Sequence, residues 1–449
     1  ARADATSIRA SASALAAIAS RRASTCPISS SRCAASAANA WPDACVIRSD
    51  DTAACWGGNW LGQLGDGSVV DRSTPVTVTG LTGAGGISAA NHSCAPVADA
   101  TLRCWGDNWG KLGDGTQIQQ NSPVTVQRPA ALGGVAQTAA GSNHGCARLT
   151  NGTVACWGSN IYGELGDGTL DWRLTQAPVP GLTGVTSVAA GAGHTCATRA
   201  AGTVACWGAN WTGQLGDGTV DPTLSPVDVV GLTDATAIAT GEDHSCAVRS
   251  NGMVACWGAN DFGQLGDGTV DPTSTPATVA GLTDAVAVAA GSHYTCAVRI
   301  GGTVVCWGQN DYGQLGNGTW DQSSTPVAVS WLSGAAGIEA GLRSQCAART
   351  DGTAACGGAN SFGRLGAGTP EARLEPVDVA GLTGATSIAL GAEHACAART
   401  DESVVCWGQN WWGQLGDGVT PDHSPWPVTA VGVTGVGTVT ANDQQTCAT

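Results

Sequence analysis

The chain alternates short runs of small and β-branched apolar residues with clusters of glycine, asparagine, aspartate and proline. Representative runs are TSVAAG, HTCATR, TVACWG and SPVDVV. Short runs of this composition, separated by turn-forming residues, predict β-strands joined by tight turns. No segment sustains a 3.6-residue apolar period, so the pattern predicts little α-helix.

The strand pattern repeats about every 50 residues. The string CWG, any residue, then Asn begins at Cys55, Cys104, Cys156, Cys206, Cys256, Cys306 and Cys406, and a variant, CGGAN, begins at Cys356. Four strands in each unit predict an all-β fold, a β-propeller with four-stranded blades. With eight full units and a partial ninth, the sequence is compatible with either seven or eight blades. The C-terminal stretch either completes the first blade or belongs to a longer array.

The repeat also divides the chain. Residues 1–40 are rich in Ala, Ser and Arg and lack the repeat, and we interpret them as a leader remnant, a linker or a docking tail. Residues 41–449 are predicted to form the propeller domain.

The repeated unit resembles a known family. GTVxCWGxN, then GQLGDGT, a proline segment and AxGxxHxCA are similar to the regulator of chromosome condensation repeat family, over residues 41–449. The resemblance implies a β-propeller, usually of seven blades. Eukaryotic members act as exchange factors on a small GTPase and bind chromatin. Extracellular bacterial members, among them propeller-type β-lactamase inhibitory proteins, are nearer in character to this acidic, cysteine-rich chain.

Charge and hydropathy exclude several functions. The 449 residues include 20 basic and 35 acidic side chains, a net charge of −15. Without clustered Lys and Arg, binding to nucleic acid or to an anionic membrane surface is disfavoured. No run of about 18 apolar residues is present, so we expect no transmembrane helix.

Paired cysteines predict disulfides. In each full unit two cysteines lie ten residues apart around a central turn, which places them opposite each other in an antiparallel hairpin, close enough for a bond. The pairs are Cys45/Cys55, Cys94/Cys104, Cys146/Cys156, Cys196/Cys206, Cys246/Cys256, Cys296/Cys306, Cys346/Cys356 and Cys396/Cys406. Eight such pairs indicate an oxidising compartment: extracellular, periplasmic or cell surface. Cys26 and Cys33 offer a ninth bridge, and Cys447 is left over.

Two further repeated positions have structural explanations. A histidine precedes the first cysteine of several pairs by two residues (His92, His144, His194, His244 and His394), and we interpret it as a hydrogen-bonding partner of loop backbone rather than a metal ligand. The aspartate of LGDGT is typical of a tight turn. We therefore predict no metal site and no cofactor.

Aromatic residues follow the Asn of CWGxN in every unit. They are Trp60, Trp109, Tyr162, Trp211, Phe262, Tyr312, Phe362, Trp411 and Trp412. The tryptophans of CWG itself are expected between blades. The loop aromatics fit two roles equally well, packing at the blade edge or binding a partner on one face.

No catalytic motif is present: neither GxSxG, HExxH nor GxxxxGKS occurs, and we predict no enzyme activity. The sequence favours a secreted or surface interaction module that binds a protein or a glycan through one propeller face. An enzyme inhibitor and a self-assembling structural subunit are the alternatives.

Overall fold

The computed structural model describes residues 43–89, 92–128, 132–141, 143–419 and 422–441. Within these ranges there are thirty-two β-strands, one 3₁₀ turn at Ser361–Gly363 and no α-helix. The strands pair antiparallel in eight four-stranded sheets. The predicted all-β propeller is confirmed, and it has eight blades. The described residues contain no helix that is long and apolar enough to cross a membrane.

The strands follow the repeat. Blade 1 contains β1 (Asp43–Arg48), β2 (Ala53–Gly57) and β3 (Arg72–Thr77). Blade 2 contains β4 (Ser88–Ala89), β5 (His92–Pro96), β6 (Leu102–Gly106) and β7 (Gln120–Thr125). Blade 3 contains β8 (Val135–Ala140), β9 (His144–Leu149), β10 (Val154–Gly158) and β11 (Arg173–Pro178). Blade 4 contains β12 (Val185–Ala190), β13 (His194–Arg199), β14 (Val204–Gly208) and β15 (Thr223–Asp228).

The second half of the ring repeats this order. Blade 5 contains β16 (Ala235–Thr240), β17 (His244–Arg249), β18 (Val254–Gly258) and β19 (Thr273–Thr278). Blade 6 contains β20 (Ala285–Ala290), β21 (Tyr294–Arg299), β22 (Val304–Gly308) and β23 (Ser323–Ala328). Blade 7 contains β24 (Ala335–Ala340), β25 (Ser344–Arg349), β26 (Ala354–Gly358) and β27 (Arg373–Asp378). Blade 8 contains β28 (Ala385–Leu390), β29 (His394–Arg399), β30 (Val404–Gln409) and β31 (His423–Thr429).

The last strand, β32 (Val436–Ala441), returns to blade 1 and pairs with β1. It also contacts β28 and β29 of blade 8, so it joins the last blade to the first. The partial ninth repeat therefore supplies the first strand of blade 1. The predictions for residues 1–40, Cys26, Cys33 and Cys447 fall outside the described residues.

The antiparallel order decides which loops share a face. First strands of successive blades contact each other, which places them at the centre of the ring. The connections from first to second strand and from third to fourth strand lie at one end of each sheet. The hairpins from second to third strand and the blade-to-blade connections lie at the other end. Loops of the same kind from all eight blades therefore share one face.

The eight predicted disulfides are present. Each joins directly opposed residues of the second and third strands, and the Cα atoms lie 4.0–4.1 Å apart. The bonds are buried between blades. Cys246 and Cys256 of blade 5, for example, share one apolar cluster with Val288 and Trp307 of blade 6. Each disulfide thus holds the hairpin whose side chains the next blade packs against.

Candidate functional site

The loop from the third to the fourth strand is fixed by the Asn of CWGxN. Asn160 is fully buried, and its Oδ1 accepts the backbone N–H of Leu165 at 3.0 Å. Its amide donates to the carbonyl oxygens of Thr169 and Asp171 at 2.9 and 3.2 Å. The Asn-to-Leu bond recurs in all eight loops at 2.9–3.1 Å. One side chain therefore ties both ends of each loop together.

A second side chain positions the aromatic residues. The Gln of GQLG accepts the N–H of the residue two before it, as Gln264 Oε1 does from Phe262 at 3.0 Å. In blade 3 a glutamate takes this role, because Glu164 Oε2 accepts from Tyr162 at 2.7 Å. The glycine between them needs a left-handed backbone: Gly263 has φ of 80°, and a Cβ there would lie 2.6 Å from the Ser324 backbone. The loop thus presents its aromatic side chain from a fixed backbone.

The aspartate of LGDGT closes the far side of the loop. Asp167 Oδ1 accepts the N–H and the hydroxyl of Thr169 at 3.0 and 2.7 Å. Burial acts to raise the pKa of Asp167, but these hydrogen bonds and Arg173 outweigh it, so the pKa is lowered. The predicted turn role of this aspartate is confirmed.

The loop aromatics fall into two classes. Those directly after the Asn are exposed over about half their surface or more: Trp60 (54%), Trp109 (68%), Trp211 (57%) and Trp411 (53%). Those one residue further on are half-buried: Tyr162, Phe262, Tyr312, Phe362 and Trp412. Sequence reasoning treated the nine as one set, although the offset of one residue was visible in the alignment of the repeats.

Half-buried rings of one blade contact exposed rings of the next. Tyr162 meets Trp211 edge-on with centroids 4.6 Å apart, and Phe362 meets Trp411 at 5.0 Å. Trp412 of blade 8 meets Trp60 of blade 1 at 5.7 Å. Edge-to-face pairs at these distances are attractive. The aromatics therefore bridge blade boundaries, including the boundary where the ring closes.

Where the next blade lacks an exposed ring, another side chain covers the half-buried aromatic. His293 stacks on Phe262 with centroids 5.0 Å apart, and the Arg343 guanidinium lies 4.6 Å from the centre of the Tyr312 ring. His293 and Arg343 both belong to the connection from first to second strand. The two sets of loops therefore form one continuous surface, which we call the aromatic face.

The tryptophans of CWG lie between blades, as predicted. All seven are buried, and each indole N–H donates to a backbone carbonyl of the preceding blade, at 2.6–2.9 Å. Blade 7 has Gly357 in this place. The buried amide of Gln345, paired with Gly357 across the hairpin, occupies the space and finds no hydrogen-bond partner for either of its polar atoms.

The structure corrects the interpretation that the repeated histidines bond loop backbone. For three of the five the partner is a side chain and not loop backbone: His144 Nε2 lies 2.8 Å from Thr195 Oγ1 of the next blade, and that hydroxyl donates back to the Glu164 carbonyl at 3.1 Å. His194 and His244 make the same contact with Ser245 and Thr295. A hydroxyl is available because it stands beside the cysteine in the neighbouring blade. Among the described residues, neither ring nitrogen of His394 has a hydrogen-bond partner. Burial lowers the pKa of His144 to about 3, so the ring is neutral. In the described part of the chain no group of His, Cys, Asp or Glu could hold a metal ion.

Sequence reasoning missed a carboxylate pair beside Phe262. Glu242 and Asp243 occupy the first-to-second connection of blade 5, and Glu242 Oε2 lies 3.7 Å from His293 Nε2. Burial raises the pKa of Glu242 to about 8 and that of Asp243 to about 6, with Asp243 and Asp261 respectively adding negative charge. The sequence signal was GEDH, which no other unit contains.

Comparison with known sequences now identifies the family. The profile described as the regulator of chromosome condensation (RCC1) repeat matches residues 151–198, 201–248, 251–298, 301–347 and 351–398, just over half of the chain. The chain belongs to the RCC1 repeat family. A second RCC1 repeat profile matches residues 135–164, 185–214, 235–264 and 285–314. The resemblance read from the CWGxN and LGDGT motifs is confirmed.

Solved RCC1-type propellers share the fold at low sequence identity. Prp20p of Saccharomyces cerevisiae, whose structure was described with its binding to Gsp1p and histones, has a TM-score of 0.56 and 21% identity, over 87% of this chain and 86% of that one. Yeast RCC1 (Prp20) bound to Kap60 has a TM-score of 0.58 and 22% identity, over 76% and 84%. Human WBSCR16 has a TM-score of 0.56 and 20% identity, over 87% and 94%.

Proposed function

We propose that this RCC1-repeat chain is a non-catalytic protein-interaction module of an extracellular, periplasmic or cell-surface setting, and that it binds its partner through the aromatic face. The observation that carries the proposal is the set of four half-exposed tryptophans, Trp60, Trp109, Trp211 and Trp411, held on hydrogen-bonded loops. Tryptophan is enriched among residues that dominate binding energy at protein interfaces. Rigid loops reduce the ordering cost of association.

Two further observations support the setting and the mode. Eight disulfides in one chain are typical of oxidising compartments. Prp20p, which shares the fold, binds proteins, Gsp1p and histones. Protein binding by a propeller of this type is therefore our preferred function. The experiment below also detects binding of a glycan or of a second copy of the chain.

The experiment replaces three exposed tryptophans together, Trp60→Ala, Trp211→Ala and Trp411→Ala. A matched control, Trp331→Ala, removes a tryptophan that is 85% exposed at a blade-to-blade connection on the opposite face. The parent, the triple variant and the control are immobilised and used to capture partners from the native cell envelope, and the affinity of any captured protein is then measured. Losing one anchor costs about 2 kcal/mol or more, about thirtyfold in Kd.

We expect the parent and the control to capture the same protein and the triple variant to lose it. Equal capture by all three proteins contradicts the proposal. Release of the captured material by free sugar favours a glycan, and a concentration-dependent mass in analytical ultracentrifugation favours self-assembly.

A further inference from the structure

Negative charge is concentrated on the aromatic face. Every connection from third to fourth strand carries at least one carboxylate, and blade 5 alone has Asp261, Asp267 and Asp271 in this loop. The connection from first to second strand in the same blade adds Glu242 and Asp243. Clustered charge of one sign raises the local concentration of oppositely charged partners and speeds their association.

Basic residues on this face are few and engaged. In the described part of these connections they are Lys111, Arg343 and Arg364. Lys111 bonds Asp107 at 3.0 Å, Arg364 bonds Glu393, and Arg343 covers Tyr312. Lys111 and Arg364 each neutralise one neighbouring carboxylate, and the other carboxylates of the face stay available to a partner.

Three arginines begin fourth strands at the same end of the sheets. Arg72 and Arg173 are ion-paired, whereas Arg373 of blade 7, where Ala367 replaces the aspartate, bonds the Thr369 hydroxyl at 2.9 Å. Arg72 bonds Asp66 at 2.7 Å, and Arg173 bonds Asp167 at 2.6 Å. Both bonds are to LGDGT aspartates, which already serve the turn. The acidic residues next to the half-buried rings of Phe262 and Tyr312, Asp261 and Asp311, are solvent-exposed.

The opposite face is balanced by contrast. Six of the eight second strands end there in arginine, and five of these arginines pair with aspartates of the same face, as Arg199 does with Asp228 and Arg349 with Asp378, both at 2.6 Å. The net charge of −15 is therefore not spread evenly over the molecule. It is expressed mainly on the side where the tryptophans are exposed.

The chain itself shows which side chain these rings accept. The Arg343 guanidinium lies over the Tyr312 ring, at the position that His293 takes on Phe262 in the neighbouring blade. A guanidinium over an aromatic face is attracted to the ring electrons. Beside Phe262 the carboxyls of Glu242 and Asp261 would add charge-assisted hydrogen bonds to such a group.

We propose that the partner presents a cationic protein segment, rich in arginine or lysine, to the aromatic face, and that its side chains pack against the exposed carboxylates and the aromatic rings of blades 5 and 6. This inference rests on the proposed function, since it names the kind of partner that the same face binds. Burial raises the pKa of Glu242 to about 8. A cation bound beside this carboxyl would favour its charged form, which agrees with a site for a cationic side chain.

The test uses the full chain and defined probes. Arginine-rich, lysine-rich and glutamate-rich peptides of equal length are titrated into the protein by calorimetry. One variant carries Asp261→Asn and Asp311→Asn on the aromatic face. Its control carries Asp228→Asn and Asp378→Asn on the opposite face, so both variants change the net charge equally.

We expect the arginine-rich and lysine-rich peptides to bind, and to bind more weakly as salt rises from about 0.01 M to about 1 M, where the screening length falls from about 30 Å to about 3 Å. The aromatic-face variant should lose affinity about threefold or more, and the control should match the parent. Equal loss in both variants, or equal binding of the glutamate-rich peptide, overturns the proposal.

The proposed function fails separately. In one outcome the triple tryptophan variant loses the native partner, while that partner's affinity for the parent depends neither on salt nor on Asp261 and Asp311. The aromatic face then binds proteins, but the inference of a cationic segment is wrong. If the tryptophan variant keeps the native partner, the proposed function is wrong whatever the peptides do.

Discussion

Blade 7 lacks the buried indole of the other blades, and restoring it should stabilise the protein. We consider the double variant Gln345→Thr with Gly357→Trp, which copies Thr295 and Trp307 of blade 6. In blade 6 the indole N–H and the threonine hydroxyl both donate to the Gln264 carbonyl at 2.9 Å. In blade 7 neither bond exists, and both polar atoms of Gln345 are buried without a partner.

The magnitude follows from these contacts. A buried tryptophan is worth about 3–5 kcal/mol relative to alanine. Removing a buried unpaired amide recovers about 1–3 kcal/mol. Adjustment of neighbours to the larger side chain costs about 1–3 kcal/mol. Together these contributions lead us to expect that the double variant raises the free energy of unfolding by about 4 kcal/mol, measured from the midpoint and slope of urea-induced unfolding.

Two controls separate this reasoning from a general effect of tryptophan. Gly357→Trp alone should destabilise, because a Cβ at that position lies 3.3 Å from Gln345 Nε2 and the indole has no room beside the amide. The mirror variant in blade 6, Thr295→Gln with Trp307→Gly, should lose about 3 kcal/mol or more. A double variant in blade 7 no more stable than the parent refutes the reasoning.

Three further outcomes are expected. Trp331→Gly should stabilise the protein by about 0.5–1 kcal/mol in thermal unfolding, because Trp331 has φ of 58° where six other blade-to-blade connections have glycine, and a lower melting temperature would count against it. Between pH 6.5 and 8 the free energy of unfolding should fall. The pKa of Glu242 is raised from 4.5 to about 8, so in this range the folded state holds a proton that the unfolded state has lost. In the folded state His293 and Asp243 do not titrate in this range, because burial lowers the pKa of His293 and Asp243 titrates near 6. Glu242→Gln should reduce this decline, part of which comes from Glu339, because burial also raises the pKa of that carboxyl well above its usual value, and an unchanged slope would show that Glu242 is not responsible. Alkylation of freshly isolated protein in denaturant without reductant should leave the sixteen paired cysteines unlabelled, and ten or more labelled thiols in the same assay would contradict the disulfides.

The sequence predicts those features that are set within one repeat. The strands, the Asp-Gly turns and the disulfide register depend on residues at most about twenty apart. Because the same pattern recurs in every repeat, a substitution in one copy does not hide it. The burial of Trp207 was predictable for the same reason: any residue at that place in a strand faces the preceding blade.

Features made between repeats were not predictable from one sequence. The contact of Trp60 with Trp412 requires the ring to close, and the bond of His144 to Thr195 joins residues 51 apart. The division of the loop aromatics into exposed and half-buried depends on which neighbour covers each ring. The Glu242–His293 pair exists because two different connections meet at the blade boundary.

The placement of the disulfides determines how the ring responds to force. Each bond spans ten residues within one blade, and none of the eight links two blades. Ala44 lies opposite Ala441 in the antiparallel β1–β32 pair, so a pull on the two ends of the described chain opens this pair one hydrogen bond at a time. After that first rupture each unfolding blade releases about 40 residues, about 130 Å at full extension. The segment between its two bonded cysteines cannot be extended. A stretched chain should therefore lengthen in eight equal steps, each shorter than the repeat would allow without its bond.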